Sequence, residues 1–145
     1  MAHPPPPPPR QRAQSQEPDA DRTRERLSAF LGTDVRPREF TLPGGTRIAV
    51  DHADAGDPPH LIAQSSALGD RLRSAHRNKA IADAFKLAWL RDHHLPDTRA
   101  ALVVGAPFAR TLVPRTWLTE ALAAAEIVIL VDGDPLHTLQ LDTSP

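Results

Sequence analysis

Apolar residues fall along this chain in several short rhythms, and each rhythm predicts an element. In "DADRTRERLSAFLGT", Leu27, Phe30 and Leu31 make a helical stripe before Gly32, which predicts a first helix over 19–31. "REFTL" and "TRIAVD" are strand-like runs joined by Pro43-Gly44-Gly45, a tight-turn signal, so they read as a hairpin. The Asp/Gly/Pro-rich turn "HADAGDPP" leads to "HLIAQSS", the third strand of a meander. The longest periodic stretch, about 70–93, is helical; Ile81, Phe85, Ala88 and Trp89 mark its expected buried face, and Pro96 stops it. "RAALVVGAP" is a continuous apolar run, as in a strand covered on both faces. "PRTWLTEALAAAE" is a helix with Pro114 near its start, and "IVILVD" is a second buried strand. The order α-β-β-β-α-β-α-β predicts an α/β domain, a meander followed by right-handed crossovers, with helices on the faces of a mixed sheet.

Composition narrows this picture. The chain has 145 residues, with 40% hydrophobic and 24% charged positions, enough for one domain with its own core. Many of the sixteen prolines sit in Pro4–Pro9. Residues 1–18 are therefore expected to be a disordered Pro-rich tail, 19–132 the domain, and 133–145 an irregular C-terminal tail. "PPPPPR" (Pro5–Arg10) fits a PxxPxR ligand for SH3-like grooves, but any proline run produces that pattern, so a solvated tail is expected. The absence of cysteine excludes disulfides, thiolate zinc sites and cysteine nucleophiles. No apolar signal region or membrane-length run is present, which makes a cytoplasmic protein the expectation. A net charge of −1 makes any polyanion site a local patch, and four Phe, two Trp and no Tyr argue against a base-stacking platform.

The candidate chemistry begins at the second hairpin. With the turn centred on Asp57-Pro58, antiparallel register sets Asp51 opposite Gln64, and opposed residues share a face about 5 Å apart. Two carboxylates so placed would hold Mg²⁺ with waters and a substrate phosphate; here the pair is an acid and an amide. On the long helix His76, Lys79, Asp83 and Lys86 recur at spacings of three and four, opposite Ile81 and Phe85. As ordinary helical ion pairs they contribute a few tenths of a kcal/mol each. Arg71, Arg73, Arg77 and Lys79 crowd the start of that helix, where the macrodipole disfavours cations and an anionic partner would compensate. His93-His94 reads as a helix-end pair, and His52, Asp54 and His60 surround one turn without the spacing of a metal motif. "LVVGAP" is not a phosphate loop, and Ser65-Ser66 lacks a nucleophile-elbow context.

The run "TLPGGTRIAVD…HLIAQ…HRNKAIADAFKLAWL…RTWLTEAL…IVILVD" resembles small uncharacterised bacterial proteins with the restriction-endonuclease-like, PD-(D/E)XK, pattern, over about residues 27–132. The most specific matches are Lys79, Asp83, Ala84, Lys86 and Leu87, and the block Arg115 to Leu122. The resemblance implies an αβββαβ core in which two hairpin acids hold Mg²⁺ and a lysine orients the attacking water. Asp51 matches the first acid and metal ligand, and Lys79 corresponds to a lysine moved onto the adjacent helix, with His76 beside it. Gln64 stands where the second acid is expected, the E-x-K motif is absent, and a final helix is missing after "IVILVD".

Two functions follow. The first is an inactive module of this fold that binds a nucleic-acid or protein partner through the basic helix start (Arg71, Arg73, His76, Arg77, Lys79) or the tail. The second is a Mg²⁺-dependent DNA endonuclease with Asp51, Gln64 or Asp83, and Lys79 as its catalytic set. A hard dication prefers charged oxygen to an amide, and the carboxylate deficit favours the inactive module.

Overall fold

The computed structural model describes residues 17–69 and 71–142. Its core is one six-stranded mixed sheet in the order β1-β2-β3-β4-β5-β6, with helices on both faces. Helix α1 (Glu17–Leu31) begins two residues earlier than its apolar stripe indicates, because Pro18 is tolerated in a first turn where N–H groups lack partners. The expected tail thus loses Glu17 and Pro18 to this helix, and its residues 1–16 lie outside the described residues.

Strands β1 (Arg36–Thr41) and β2 (Arg47–Ala53) form the predicted hairpin. Its turn closes through Leu42 N to Thr46 O (2.7 Å) and Gly45 N to Leu42 O (2.9 Å). Gly44 and Gly45 take φ of 92° and 94°, a region that side chains other than glycine enter only with strain. Strand β3 (Leu61–Ser65) pairs antiparallel with β2 through His52–Ala63 and Ala53–Ile62, the register that sets Asp51 across from Gln64. Between Val50 and Ala53 strand β2 carries one residue more than β1 has between Arg36 and Arg38, a β-bulge at Asp51-His52. The bulge lets Val50 and Ala53, three positions apart, enter the same hydrophobic cluster.

Helix α2 (Ser74–His94) carries the chain from β3 to β4 (Arg99–Val104), which lies parallel to β3. The short helix α3 (Ala106–Ala109) and helix α4 (Trp117–Ala124) then lead to β5 (Ile127–Val131), parallel to β4. Residues of α2 and α4 (Leu87, Leu90, Leu118, Leu122) pack with Ile62, Leu102 and Ile129 on one face. Leu27 of α1 packs with Ala63, Ala101, Val103 and Leu130 on the other. Strands β4 and β5 are almost wholly buried, as their continuous apolar runs require.

Three expectations are corrected. The buried face of α2 is Ala80, Asp83, Ala84, Leu87, Leu90 and Arg91, whereas Phe85 is 75% and Trp89 37% exposed. Asp83 and Arg91 turn inward because partners wait there; the Arg91 guanidinium donates to the carbonyls of Ala125 (2.5 Å) and Glu126 (2.9 Å), satisfying the end of α4. Asp83 therefore leaves the expected outer stripe, whereas Lys79 stays exposed and reaches it from one turn earlier. The segment 133–145, expected to be irregular, contains β6 (His137–Leu139), paired antiparallel with β5.

Candidate functional site

At the bulge the backbone ladder gives way to side chains. Asp51 N donates to Gln64 Oε1 (2.6 Å), and Ser65 N donates to Asp51 Oδ2 (3.0 Å), so each side chain satisfies backbone on the opposite strand. Gln64 is buried, and its Nε2 donates to Asp83 Oδ1 of α2 (3.3 Å). The other oxygen of Asp83 accepts from Ser66 Oγ and from Lys79 Nζ (2.6 Å). Lys79 Nζ also donates to Ser65 O (3.0 Å), which fixes the first turns of α2 against the end of β3. The result is a chain of hydrogen bonds, Asp51 amide to Gln64 to Asp83 to Lys79, running from the hairpin to the helix.

The four expected catalytic residues thus converge, but as a neutralised network. Asp83 receives hydrogen bonds from an amide, a hydroxyl and an ammonium, which offsets its burial. The orientation of Gln64 is fixed at both ends: its carbonyl must face a donor, the Asp51 amide, and its NH₂ must face an acceptor, Asp83.

Beyond the carboxyl ends of β3 and β5 lies a cleft of about 850 Å³ lined by Asp51, His52, Ser65, His76 and Lys79, with Asp132 across from them. Ligands of open α/β sheets bind in this position. Helix α1 forms the opposite wall with Arg22, Arg24 and Arg26. Arg24 pairs with Asp34 (3.6 Å) and Arg26 with Asp132 (3.2 Å). Among the expected nucleic-acid residues, His76 and Lys79 line the cleft, while Arg71 and Arg73 are exposed on the segment entering α2. Arg77 instead places its guanidinium 5.8 Å from the Trp117 ring centre. The sequence alone does not point to the three α1 arginines, because nothing local links residues 22–26 to a helix fifty residues away. A second cavity of about 870 Å³, at the other end of the sheet against Phe30, Leu61 and Val128, contains none of this network.

His52 is a further residue whose role is not legible in the sequence. It is buried, and its Nε2 lies 2.8 Å from Ser65 Oγ. Burial pushes its pKa down, more than the neighbouring Asp51 carboxylate raises it, and Arg24 pushes it further down. Among the described residues its Nδ1 has no hydrogen-bond partner. Asp54, on the same hairpin, is a purely local device. Its carboxylate accepts from the amides of Leu61 (2.8 Å), His60 (3.1 Å) and Gly56 (3.2 Å), and closes the loop between β2 and β3. A Cβ on Gly56 would stand 2.9 Å from Asp54 Oδ2, so that loop needs glycine there.

The donor set does not fit Mg²⁺. Three acids line the cleft, Asp51 of the hairpin, Asp21 of α1 and Asp132, which pairs with Arg26; Asp83 is held by three donors, and the amide of Gln64 is turned away to bridge Asp51 and Asp83. Among the described residues no group of three or more His, Cys, Asp or Glu is placed to hold a metal ion. None of the described helices is long and apolar enough to cross a membrane. The class is therefore an α/β protein with an open mixed sheet and a polar cleft beyond its parallel strand ends. Comparison with protein-family models, curated proteins and solved structures finds no match to this chain.

Proposed function

We propose that this chain is a restriction-endonuclease-like module without metal chemistry, and that it binds nucleic acid through the cleft and its basic rim. One observation carries the reading. Gln64 bridges the hairpin to Asp83, so hydrogen bonds join the groups that a nuclease would join through a metal ion. The meander followed by a crossover helix agrees with an αβββαβ core, although β6 stands where a further helix was expected. Arg22 is an exposed cation lining the cleft with Lys79, and Arg71 and Arg73 are exposed cations on the segment entering α2. Cations of this kind bind phosphates without reading sequence, and their hold weakens with salt.

The test is fluorescence anisotropy on a labelled DNA duplex in chelator, across a salt series. Wild type should bind with an affinity that falls as salt rises. The triple change Arg22→Ala, Arg71→Ala, Arg73→Ala should flatten that dependence by about 0.9 in log–log slope for each phosphate no longer neutralised. Plasmid cleavage in Mg²⁺ or Mn²⁺ that disappears in Asp51→Ala would overturn the reading and restore the endonuclease. Binding unchanged in the triple variant would remove the rim from it.

A further inference from the structure

Apart from the Gln64–Asp83 junction, the cleft holds a hydroxyl in contact with a base. His52 Nε2 lies 2.8 Å from Ser65 Oγ, and both residues line the cleft together with Asp51. The β-bulge at Asp51-His52 is what gathers them. Successive residues of a regular strand face opposite sides of the sheet, whereas a bulge re-aims one of them, and here both neighbours reach the cleft. Ser65 is the last residue of β3, where the chain leaves the sheet. Its amide donates to Asp51 Oδ2 (3.0 Å), which holds that carboxylate beside the serine. Its carbonyl accepts from Lys79 Nζ (3.0 Å), which puts an ammonium on the same residue.

Burial separates the roles. His52 is 5% exposed, so packing holds the imidazole in place, while Ser65 is half-buried and lines the cleft. Among the described residues His52 Nδ1 has no hydrogen-bond partner, so no group fixes which ring nitrogen carries the proton. With the proton on Nδ1, the lone pair of Nε2 accepts from Ser65 Oγ, the arrangement that activates a serine. Constellations of this kind are recognised by geometry and not by sequence context, and a nucleophile elbow is only one setting for them. Asp51 differs from the usual third member, because it acts on the ring by charge without a hydrogen bond to it.

The surroundings favour an uncharged reacting group. Arg26 is paired with Asp132 and Lys79 with Asp83, while Asp51 adds a negative charge next to Ser65. A phosphodiester would bring a second anion against Asp51, and a carbonyl brings none. Ala67 and Leu68, which follow the two serines, give the same cleft an apolar lining suited to a short acyl chain.

We propose that Ser65 is a nucleophile toward carboxylic esters of short acyl chains, with His52 as its general base. This goes beyond the nucleic-acid reading and does not depend on it. Ser65 Oγ bonds to the ester carbonyl carbon as its proton passes to His52 Nε2, and the carbonyl oxygen takes up the electron pair. When that pair returns, the bond to the alcohol oxygen breaks, and the alcohol leaves with the proton from His52. Water then gives one proton to His52 and its hydroxide to the acyl carbon, and Ser65 Oγ departs with that proton. No hydrogen bond orients the ring, so both halves are slow, and covalent trapping is a more sensitive measure than turnover.

The test incubates the full chain with an alkyl fluorophosphonate, which bonds through phosphorus to an activated serine and releases fluoride. Intact mass and peptide mapping should find one adduct per chain, on Ser65. Ser65→Ala should abolish it, and His52→Gln should slow it about a hundredfold, at the low end of what a general base contributes. With p-nitrophenyl butyrate, wild type should release a burst of p-nitrophenolate of up to one equivalent, and Ser65→Ala none. Thermal melts verify that both variants are folded. Absence of a Ser65 adduct, or one that forms equally fast in folded His52→Gln, overturns the proposal. So does an adduct that forms as fast in wild type unfolded by urea, because the reactivity would then owe nothing to the cleft.

Discussion

Asp54 and Asp83 are both buried carboxylates, 5% and 8% exposed, yet they are held by different means. Asp54 is held by backbone: three amides within seven residues converge on it, and Arg38 clamps the same loop through the carbonyls of Asp54 (2.9 Å) and Gly56 (2.7 Å). Asp83 is held by side chains from three places, Gln64 on β3, Ser66 after it, and Lys79 one turn earlier on α2. The first arrangement makes a loop, and its donors turn with the chain that carries the acid. The second makes a junction between helix and sheet at the edge of the cleft, and it exists only when the tertiary fold brings its members together. A buried acid served by backbone is a structural staple. One served by exchangeable side chains is where a site can be gained or lost by single substitutions.

Truncation should separate the two most strongly. Asp83→Ala leaves the NH₂ of Gln64 and the hydroxyl of Ser66, itself 1% exposed, without an acceptor in the interior. Stranded buried donors cost about 1–3 kcal/mol each, so a destabilisation of about 3 kcal/mol is expected in chemical denaturation. Asp54→Ala frees three amides in a loop where His60 is exposed and Gly56 half-exposed, so water replaces part of what the carboxylate supplied. About 2 kcal/mol is expected, with faster hydrogen exchange confined to Gly56, His60 and Leu61. Equal destabilisation, or exchange spreading into β4 from Asp54→Ala, would erase the distinction between staple and junction.

Gln64→Glu sharpens the comparison from the side of the junction. The introduced carboxylate gives up the hydrogen bond to Asp83 and faces it with like charge, costing about 2 kcal/mol in chelator. Mg²⁺ would then find two acids side by side with Asp51 near. A metal that binds only the folded state at a hundredfold excess over its Kd returns about 2.7 kcal/mol. Thermal denaturation with and without Mg²⁺ reads this directly. A wild type that gains as much from Mg²⁺ as the variant would show that the amide is no obstacle to metal, and the inactive reading would fall.

The same contrast explains what is legible in the sequence. Strands β4 and β5 are continuous apolar runs, the Pro-Gly-Gly turn has one reading, and the register that sets Asp51 across from Gln64 follows from the turn between them. Local chemistry determines all three. Periodicity misplaces the buried face of α2 because its inward residues include Asp83 and Arg91 while its outer row holds Phe85 and Trp89, the reverse of what an amphipathic pattern assumes. Spacing and strand pairing are enough to bring the four candidate site residues near one another. Their state is not legible in the same way, since whether Asp83 meets a metal or an amide depends on the rotation of a helix against a sheet. The arginines of α1 and the Ser65–His52 pairing arise only from packing across the sheet and the bulge.

The smallest effect expected is a dependence of stability on pH, with two windows. Burial alone would raise the Asp54 carboxyl, but the amides of His60, Leu61 and Gly56 outweigh it and hold its pKa below the ordinary 3.8. An acid with a depressed folded pKa contributes stability that is full above the ordinary value and is lost as pH falls through the folded one, so this decline belongs below about pH 4. For His52 burial lowers the pKa from 6.5. Below about pH 6.5 the unfolded chain takes up a proton that the folded ring refuses, so stability falls as pH drops from neutral toward the lowered value and then levels. Melting temperature against pH should therefore decline in two steps, each smaller than either truncation. His52→Asn should remove the step that begins near neutrality and leave the acid one, and Asp54→Ala should do the converse. If the acid step survives in Asp54→Ala, the amide cage is not what keeps that carboxylate ionised, and Asp54 is no longer a staple distinct from the junction at Asp83.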